Sequence, residues 1–304
     1  MLADAVEYLI CPICRGDLAI QGAVVRCGQG HAFDVARQGY VSLLTGSGVP
    51  GTADTPAMVG ARAEFLGAGH FASLSGRLRD LSGRLPEPDG GPPEPDGRPP
   101  EPDGRPREPA GGRAARRVVL DAGAGTGHYL AETLGPGDVG IALDISKHAL
   151  KRAARAHPRI GAVVADVWRP LPVKDACADV ILDVFAPRNG PEFARVLRPG
   201  GTLIVVTPTP RHLSPLVDRL GLLSVDESKS RRVEEALAGR FTEIDQVIEE
   251  AEMRLDHQAV ETVAGMGPSA WHTDPVALRR EISHLPSPMT VKMSCQISLF
   301  RKIT

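Results

Sequence analysis

The chain has 304 residues, and 35 lysines plus arginines against 37 aspartates plus glutamates leave a net charge of −2. That balance gives no bulk-charge signature of a nucleic-acid binder, and 4% aromatic residues exclude a surface of stacked rings. No run approaches the ~18 consecutive apolar residues of a membrane span, and the opening MLADAVEYLICPIC lacks the basic and apolar regions of a secretory leader. The expectation is a cytoplasmic protein with no membrane partner.

Residues 1–45 hold three of the five cysteines, in the pattern Cys11-x2-Cys14-x12-Cys27-x3-His31. Two short knuckles that each present two soft or borderline ligands can close a tetrahedron around one zinc ion. Four protein ligands leave no open position for substrate, so the expected role is structural. Residues 46–85 form a helical connector. Met58, Ala61, Phe65 and Leu66 recur at helical spacing, and Thr55-Pro56 is a helix start.

Residues 86–112 differ in kind. PEPDG recurs at Pro86, Pro93 and Pro100, and residues 86–106 carry no apolar side chain other than proline. Such a segment buries too little surface to offset its ordering entropy, which predicts a disordered linker. Within it, residues 86–106 carry six acids and two arginines, so the rest of the chain is left with 33 basic and 31 acidic residues.

Residues 113–304 alternate strand and helix. Strands are predicted at Val118–Asp121, Val139–Asp144, Gly161–Ala165, Ala178–Val184 and Thr202–Thr207, with helices at His128–Leu134, Ser146–His157 and Pro191–Leu197. A turn is predicted at Arg198–Gly201. Further helices are expected near Arg211–Leu220 and Ser230–Gly239, and a last strand near Val291–Phe300. The alternation implies βαβ units and a largely parallel sheet.

The first of these strands runs into Asp121-Ala122-Gly123-Ala124-Gly125-Thr126-Gly127-His128. Glycines there let the backbone approach a ligand closely. The next strand ends in Asp144, where a carboxylate would accept hydrogen bonds from ribose hydroxyls. The glycine spacing is not that of the dinucleotide fingerprint. With Asp121 ahead of it, the run resembles the first motif of class I S-adenosylmethionine-dependent methyltransferases. Asp166 fits the position that contacts the adenine amino group in that family, and Leu197-Arg198-Pro199-Gly200-Gly201 resembles the loop before its fifth strand. The resemblance implies a Rossmann-like α/β fold with a seven-stranded, mostly parallel sheet.

A module of three cysteines and one histidine ahead of this core resembles the large-subunit rRNA guanine N(1)-methyltransferases, over nearly the whole chain. The resemblance is carried by the runs from His31 to Val41, Asp54-Thr55, Met58 to Leu66, Phe185 to Asn189, Thr207-Pro208, His212-Leu213, and Gly265 to His272. The last run looks most like the actinomycete branch that protects the ribosomes of macrolide producers. It implies methylation of a guanine in the 23S rRNA hairpin lining the exit tunnel, a guanine-748-type site. It further implies zinc, S-adenosylmethionine, rRNA recognition through the zinc module, and a homodimer. Cofactor contacts carried over by motif are Phe71, Gly127, His128 and His212, beside Asp121, Gly123, Gly125, Asp144 and Asp166. The family commonly has Tyr where this chain has Phe71, so one hydroxyl is missing. Ser42 replaces the usual Asn.

Guanine N(1) carries a proton at neutral pH, so a general base is wanted. Asp183 lies in the right region and is equally readable as a strand-end polar group. Trp271 is a candidate to stack on an unstacked base, or a core residue; His272 shares that ambiguity. Arg15, Arg26, Arg37, Arg62 and the pair Arg279-Arg280 are candidates for phosphate contact or for ordinary solvated surface. Two rival functions stand beside this reading: a small-molecule methyltransferase of secondary metabolism, and a non-catalytic RNA-binding relict of the fold.

Overall fold

The structure, a computed structural model, describes residues 1–46, 53–83, 116–222, 229–267, 270 and 274–303. The predicted linker, Trp271 and His272 lie outside them.

The chain opens with a short helix, α1 (Leu2–Ala5), and three strands, β1 (Leu18–Gln21), β2 (Val24–Cys27) and β3 (Ala32–Asp34). These strands form an antiparallel three-stranded sheet. A fourth strand, β4 (Tyr40–Ser42), leaves that sheet and pairs elsewhere. The connector is two helices, α2 (Pro56–Gly67) and α3 (Ala72–Gly83), not one. The Thr55 hydroxyl caps α2 by accepting from the Met58 amide at 3.2 Å, and Pro56 occupies the first turn, where no amide donor is missed. The break falls at Gly67-Ala68-Gly69, where Gly69 adopts φ of 79°.

The α/β portion runs β5 (Val118–Ala122), α4 (His128–Thr133), β6 (Val139–Asp144), α5 (Lys147–Ala156), β7 (Ile160–Val164), β8 (Ala178–Val184), α6 (Gly190–Val196) and β9 (Leu197–Pro208). It ends with α7 (Leu216–Leu220), α8 (Lys229–Leu237), β10 (Phe241–Leu255), α9 (His257–Gly265), α10 (Pro275–Ser283) and β11 (Met289–Lys302). Three expectations change. Arg198–Gly201 lies inside β9, with an irregular register against β8 rather than a free turn. The helix expected from Arg211 begins only at Leu216. The 15-residue strand β10 was not predicted.

The main sheet has eight strands in the order β10-β11-β9-β8-β5-β6-β7-β4. Strand β11 is antiparallel to both neighbours, and the other pairings are parallel. The six strands placed from the sequence are all present; β10 completes the seven that the resemblance implies, and β4 from the cysteine-rich segment adds an eighth. Strand order reverses between β5 and β8, so the ligand crevice belongs above the carboxyl ends of those strands.

Alternate residues along the strands feed two cores. Ile204 and Val206 face Phe65, Leu74, Leu130 and Leu150, which come from α2, α3, α4 and α5. Leu203 and Val205 share the opposite cluster with Leu9, Cys11, Leu18, Val25 and Phe193. The cysteine-rich module thus has no core of its own; its apolar face is continuous with one side of the sheet. Central strands such as β8 are buried at every position, as a sheet covered on both faces requires.

Candidate active site and metal centre

Cys11, Cys14, Cys27 and His31 converge, with their four ligand atoms all within 4.8 Å of one another. The Cys14 and Cys27 sulfurs lie 3.6 Å apart, and His31 Nδ1 lies 3.6 Å from Cys11 Sγ and 3.4 Å from Cys27 Sγ. Zn–S and Zn–N bonds of ~2.0–2.3 Å put tetrahedral ligands roughly 3.4–3.8 Å apart, so the donors fit zinc in identity and spacing. Backbone turns shape the two knuckles. The Arg15 amide donates to the Cys11 carbonyl at 2.8 Å, and the Gly30 amide donates to the Cys27 carbonyl at 3.0 Å.

A cleft of about 750 Å³ opens above the carboxyl ends of β5, β6 and β8. Phe71, Asp121, Gly123, Gly125, His128, Asp144, Asp166 and His212 all line it, drawn from α2–α3, the β5–α4 turn, the ends of β6 and β7, and the segment after β9. Gly127 does not. Its φ is 75°, and a Cβ there would lie 2.9 Å from the Ala153 Cα, so it serves the close packing of the turn on α5. Gly123 has a similar constraint, because a Cβ there would lie 2.5 Å from the Ala186 side chain across the switch point.

Four of the turn's amides are committed within the protein. Those of Gly123 and Ala124 donate to the Leu143 carbonyl at 2.8 and 2.9 Å, and that of Gly127 to the Ala124 carbonyl at 2.8 Å. The Gly125 amide donates to Asp144 Oδ2 at 2.8 Å, while Asp144 Oδ1 accepts from the Ser146 amide at 2.8 Å. Each oxygen keeps a lone pair for a ligand hydroxyl.

The cleft is acidic. Asp54, Asp121, Asp144 and Asp166 line it, against Arg62 as the one lysine or arginine among the described lining residues. Asp121 is buried with neither oxygen hydrogen-bonded, and burial together with the nearby Asp144 pushes its carboxyl up to about 8. Burial also raises Asp144 and lowers the His128 imidazole, whose Nε2 is hydrogen-bonded to Ser75 Oγ at 3.1 Å. The His212 ring sits 5.7 Å from the Phe71 ring and 5.9 Å from that of Phe185, with Nδ1 3.2 Å from the Ser294 carbonyl.

Asp183 is placed differently from its expected role. It is fully buried, 3.5 Å from Arg188 Nε, and is not among the residues lining the cleft. Its carboxylate faces the protein, so it makes no direct contact with a base bound there. Arg62 also departs from its expectation as a surface phosphate contact, since it is turned into the cleft and paired with Asp54. Arg15, Arg26 and Arg37 are exposed on the cysteine-rich module. Arg15 lies 3.8 Å from Asp175.

Sequence reasoning missed Asp54, Trp168 and Phe185 as cleft residues. Trp168 is 68% exposed and Phe185 41% exposed at the cleft, the latter with φ of 55°. A phenylalanine held in the left-handed region is uncommon and worth noting at a ligand crevice. Trp168 was visible as an aromatic two residues after Asp166; the backbone of Phe185 has no sequence signal.

Residues 9–45 match the family described as RlmA, N-terminal, a zinc ribbon, and residues 119–201 match a methyltransferase domain. A protein of Micromonospora griseorubida, provisionally named 23S rRNA (guanine-N(1)-)-methyltransferase, is 46% identical over 100% of both chains. The 23S rRNA (guanine(748)-N(1))-methyltransferase of Streptomyces fradiae is 44% identical, again over 100% of both. The chain belongs to the 23S rRNA (guanine-N(1))-methyltransferase family. A more distant relative in Bacillus subtilis, provisionally given the same name, is 29% identical over 90% of each chain. Membership makes this chain a methyltransferase with a class I fold and an N-terminal zinc ribbon. It also makes S-adenosylmethionine and zinc its cofactors. No described helix is long and apolar enough to cross a membrane.

Proposed function

We propose that this enzyme transfers the methyl group of S-adenosylmethionine to N(1) of a guanine in 23S rRNA, at the guanine-748-type site. The observation that carries the reading is full-length similarity to the Streptomyces fradiae enzyme of that specificity. The cleft supports it. S-adenosylmethionine bears a sulfonium and an ammonium against one carboxylate, so it is a net cation, and four aspartates with one arginine suit it. After transfer the sulfur is neutral, so the same acids hold the product less firmly. In this reading Asp144 takes the ribose hydroxyls and Asp166 the adenine amino group. Asp121 faces the cationic end, and Phe71, His128 and His212 pack around the ligand. Gly123 and Gly125 let it approach.

The methyl transfer is an in-line displacement at carbon: the N(1)–C bond forms, the C–S bond breaks with the thioether leaving, and the N(1) proton is released to solvent. The protein's task is to align the two and exclude water. Residues 1–45 act as the rRNA-recognition module, with Arg15, Arg26 and Arg37 as its exposed cations. Residues 46–85 are the connector, 86–112 the tether and 113–304 the methyltransferase unit. The enzyme works in the cytoplasm as a homodimer and confers macrolide resistance.

Methylation at N(1) blocks Watson–Crick pairing, so reverse transcriptase stops beside the modified guanine. Primer extension on 23S rRNA from cells with and without the enzyme is expected to show one new stop at that hairpin. Absence of the stop, or transfer of label from the cofactor to a macrolide instead of rRNA, overturns the proposal.

A further inference from the structure

The acidic cleft explains how a cation is held and leaves one group of the ligand unaccounted for. The cofactor's methionine end also carries a carboxylate, which gains nothing from the aspartates that line the cleft. In many nucleotide sites backbone amides at a glycine turn receive the anionic group. Here the amides of Gly123, Ala124, Gly125 and Gly127 are already taken by the Leu143 carbonyl, Asp144 and the Ala124 carbonyl. Those four amides are closed to the anion, which favours a side-chain donor beside the turn.

Among the described residues lining the cleft, Arg62 is the one with a fixed positive charge. It projects from α2 over the glycine turn, with Nη1 3.4 Å from the point where a Gly125 Cβ would stand. Its side chain is 27% exposed, so it is partly withdrawn from water. Its orientation is fixed by two contacts: Nη1 donates to Asp54 Oδ2, and Nη2 donates to the Met266 carbonyl at 2.9 Å. Asp54 is itself anchored, since its carbonyl accepts from Ser146 Oγ at 3.1 Å, at the start of α5. A guanidinium has five N–H donors in a planar fork. Two are used, and Nε and one hydrogen on each terminal nitrogen remain. Asp54 and Met266 therefore act as a frame that holds the arginine over the turn with donors to spare.

We propose that Arg62 binds the α-carboxylate of S-adenosylmethionine, and that Asp54 is the residue that positions it. This inference rests on the cofactor reading above and adds a residue to it. The phosphate role expected from sequence does not suit a side chain turned into the cleft.

The test is a binding cycle in which both protein and ligand are altered, measured by calorimetry on the full chain. The ligands are S-adenosylhomocysteine and 5′-methylthioadenosine, which lacks the aminocarboxypropyl end, together with decarboxylated S-adenosylmethionine set against S-adenosylmethionine to isolate the carboxylate. The unsubstituted chain is expected to favour the carboxylate-bearing member of the isolating pair by about 10- to 100-fold, the range of a charge-assisted hydrogen-bonded pair. In Arg62→Gln that ratio is expected to fall to within about 3-fold of unity. Arg62→Lys, which keeps the charge without the fork, is expected to fall between the two. A partly unfolded variant lowers the apparent binding of both ligands alike, so the ratio survives a folding defect.

An unchanged ratio in Arg62→Gln overturns the assignment. Lost affinity for an rRNA hairpin with the ratio intact overturns it in favour of phosphate contact. If the unsubstituted chain binds neither S-adenosylhomocysteine nor S-adenosylmethionine, the cofactor reading itself fails.

Discussion

Asp121 joins function to stability at a single side chain. Its carboxyl is buried without a hydrogen-bond partner and is pushed up to about 8 by burial first and Asp144 second. A cation in the cleft favours the ionised form, so cofactor binding at neutral pH should release a proton from this group. Affinity is then expected to rise as pH increases toward about 8 and to level off above it. Calorimetry in buffers of different ionisation enthalpy checks this. Asp121→Asn is expected to bind more weakly and to lose that pH dependence. Linkage gives the opposite sign for the unliganded protein. Between the ordinary aspartate value of 3.8 and about 8, the native state holds a proton on Asp121 that the unfolded state has released. That contribution to stability is therefore lost as pH rises through this window. Without cofactor, Asp121→Asn should have a higher thermal midpoint than the parent at pH 8. A lower midpoint contradicts the placement of an unpaired carboxyl there. A residue that costs stability and serves binding is the trade-off expected of a functional site.

Among the elements, α1 and β4 determine how the zinc ribbon is joined to the catalytic unit. Strand β4 hydrogen-bonds to β7 in parallel, with Tyr40, Val41 and Ser42 opposite Ala162, Val163 and Val164. Helix α1 lies across the same strand so closely that a Cβ on Gly161 would stand 2.2 Å from the Ala5 Cβ and 3.5 Å from the Leu2 Cα. Glycine is required there for close approach and not for its backbone angles. Gly161→Val should force α1 off the sheet and destabilise the protein by roughly 1–3 kcal/mol, the usual cost of overpacking a tight contact. A chemical denaturation midpoint unchanged by this substitution would show that α1 does not seat on β7. Strand β10 is the converse case. It is an edge strand, half-exposed along most of its length, and Glu243, Asp245, Glu249, Glu250 and Glu252 give it little strand propensity. Pairing along the whole of β11 makes it a strand, and charge on its edge discourages pairing with other chains.

Across the molecule, the zinc ligands and the cofactor cleft are built from separate residues of one continuous structure. None of the cleft residues comes from the ribbon, yet the ribbon's apolar residues share one core with the sheet. Removing zinc should therefore separate two activities. Cys14→Ser, which replaces an exposed ligand, is expected to reduce zinc content and rRNA methylation by at least about tenfold, because outer recognition depends on the folded ribbon. Affinity for S-adenosylhomocysteine should stay within about twofold of the parent, the scatter expected for independent sites. Metal analysis, methyl-transfer assays and calorimetry on the same preparation report the three quantities. Loss of cofactor affinity in proportion to zinc would mean that the shared core transmits the ribbon's unfolding to the cleft.

The sequence by itself determined the zinc ligands, the order of strands and helices from Val118 to Thr207, and the acids, glycines and rings of the cleft from Phe71 and Asp121 to His212. Each of those follows from a local cause: ligand spacing on a knuckle, apolar runs between turns, and acids or glycines at strand ends that a doubly wound sheet must bring to one edge. It did not show that β4 leaves the ribbon to join the sheet, that Gly127 packs on α5 instead of facing the ligand, or that Asp183 is sealed off with Arg188. Nor did it show that Arg62 turns inward to Asp54. These depend on contacts between residues far apart in the chain, such as Arg62 with Met266 and Tyr40 with Ala162. Only the folded chain brings such pairs together, and which face a side chain presents is decided by the packing of the elements on either side of it.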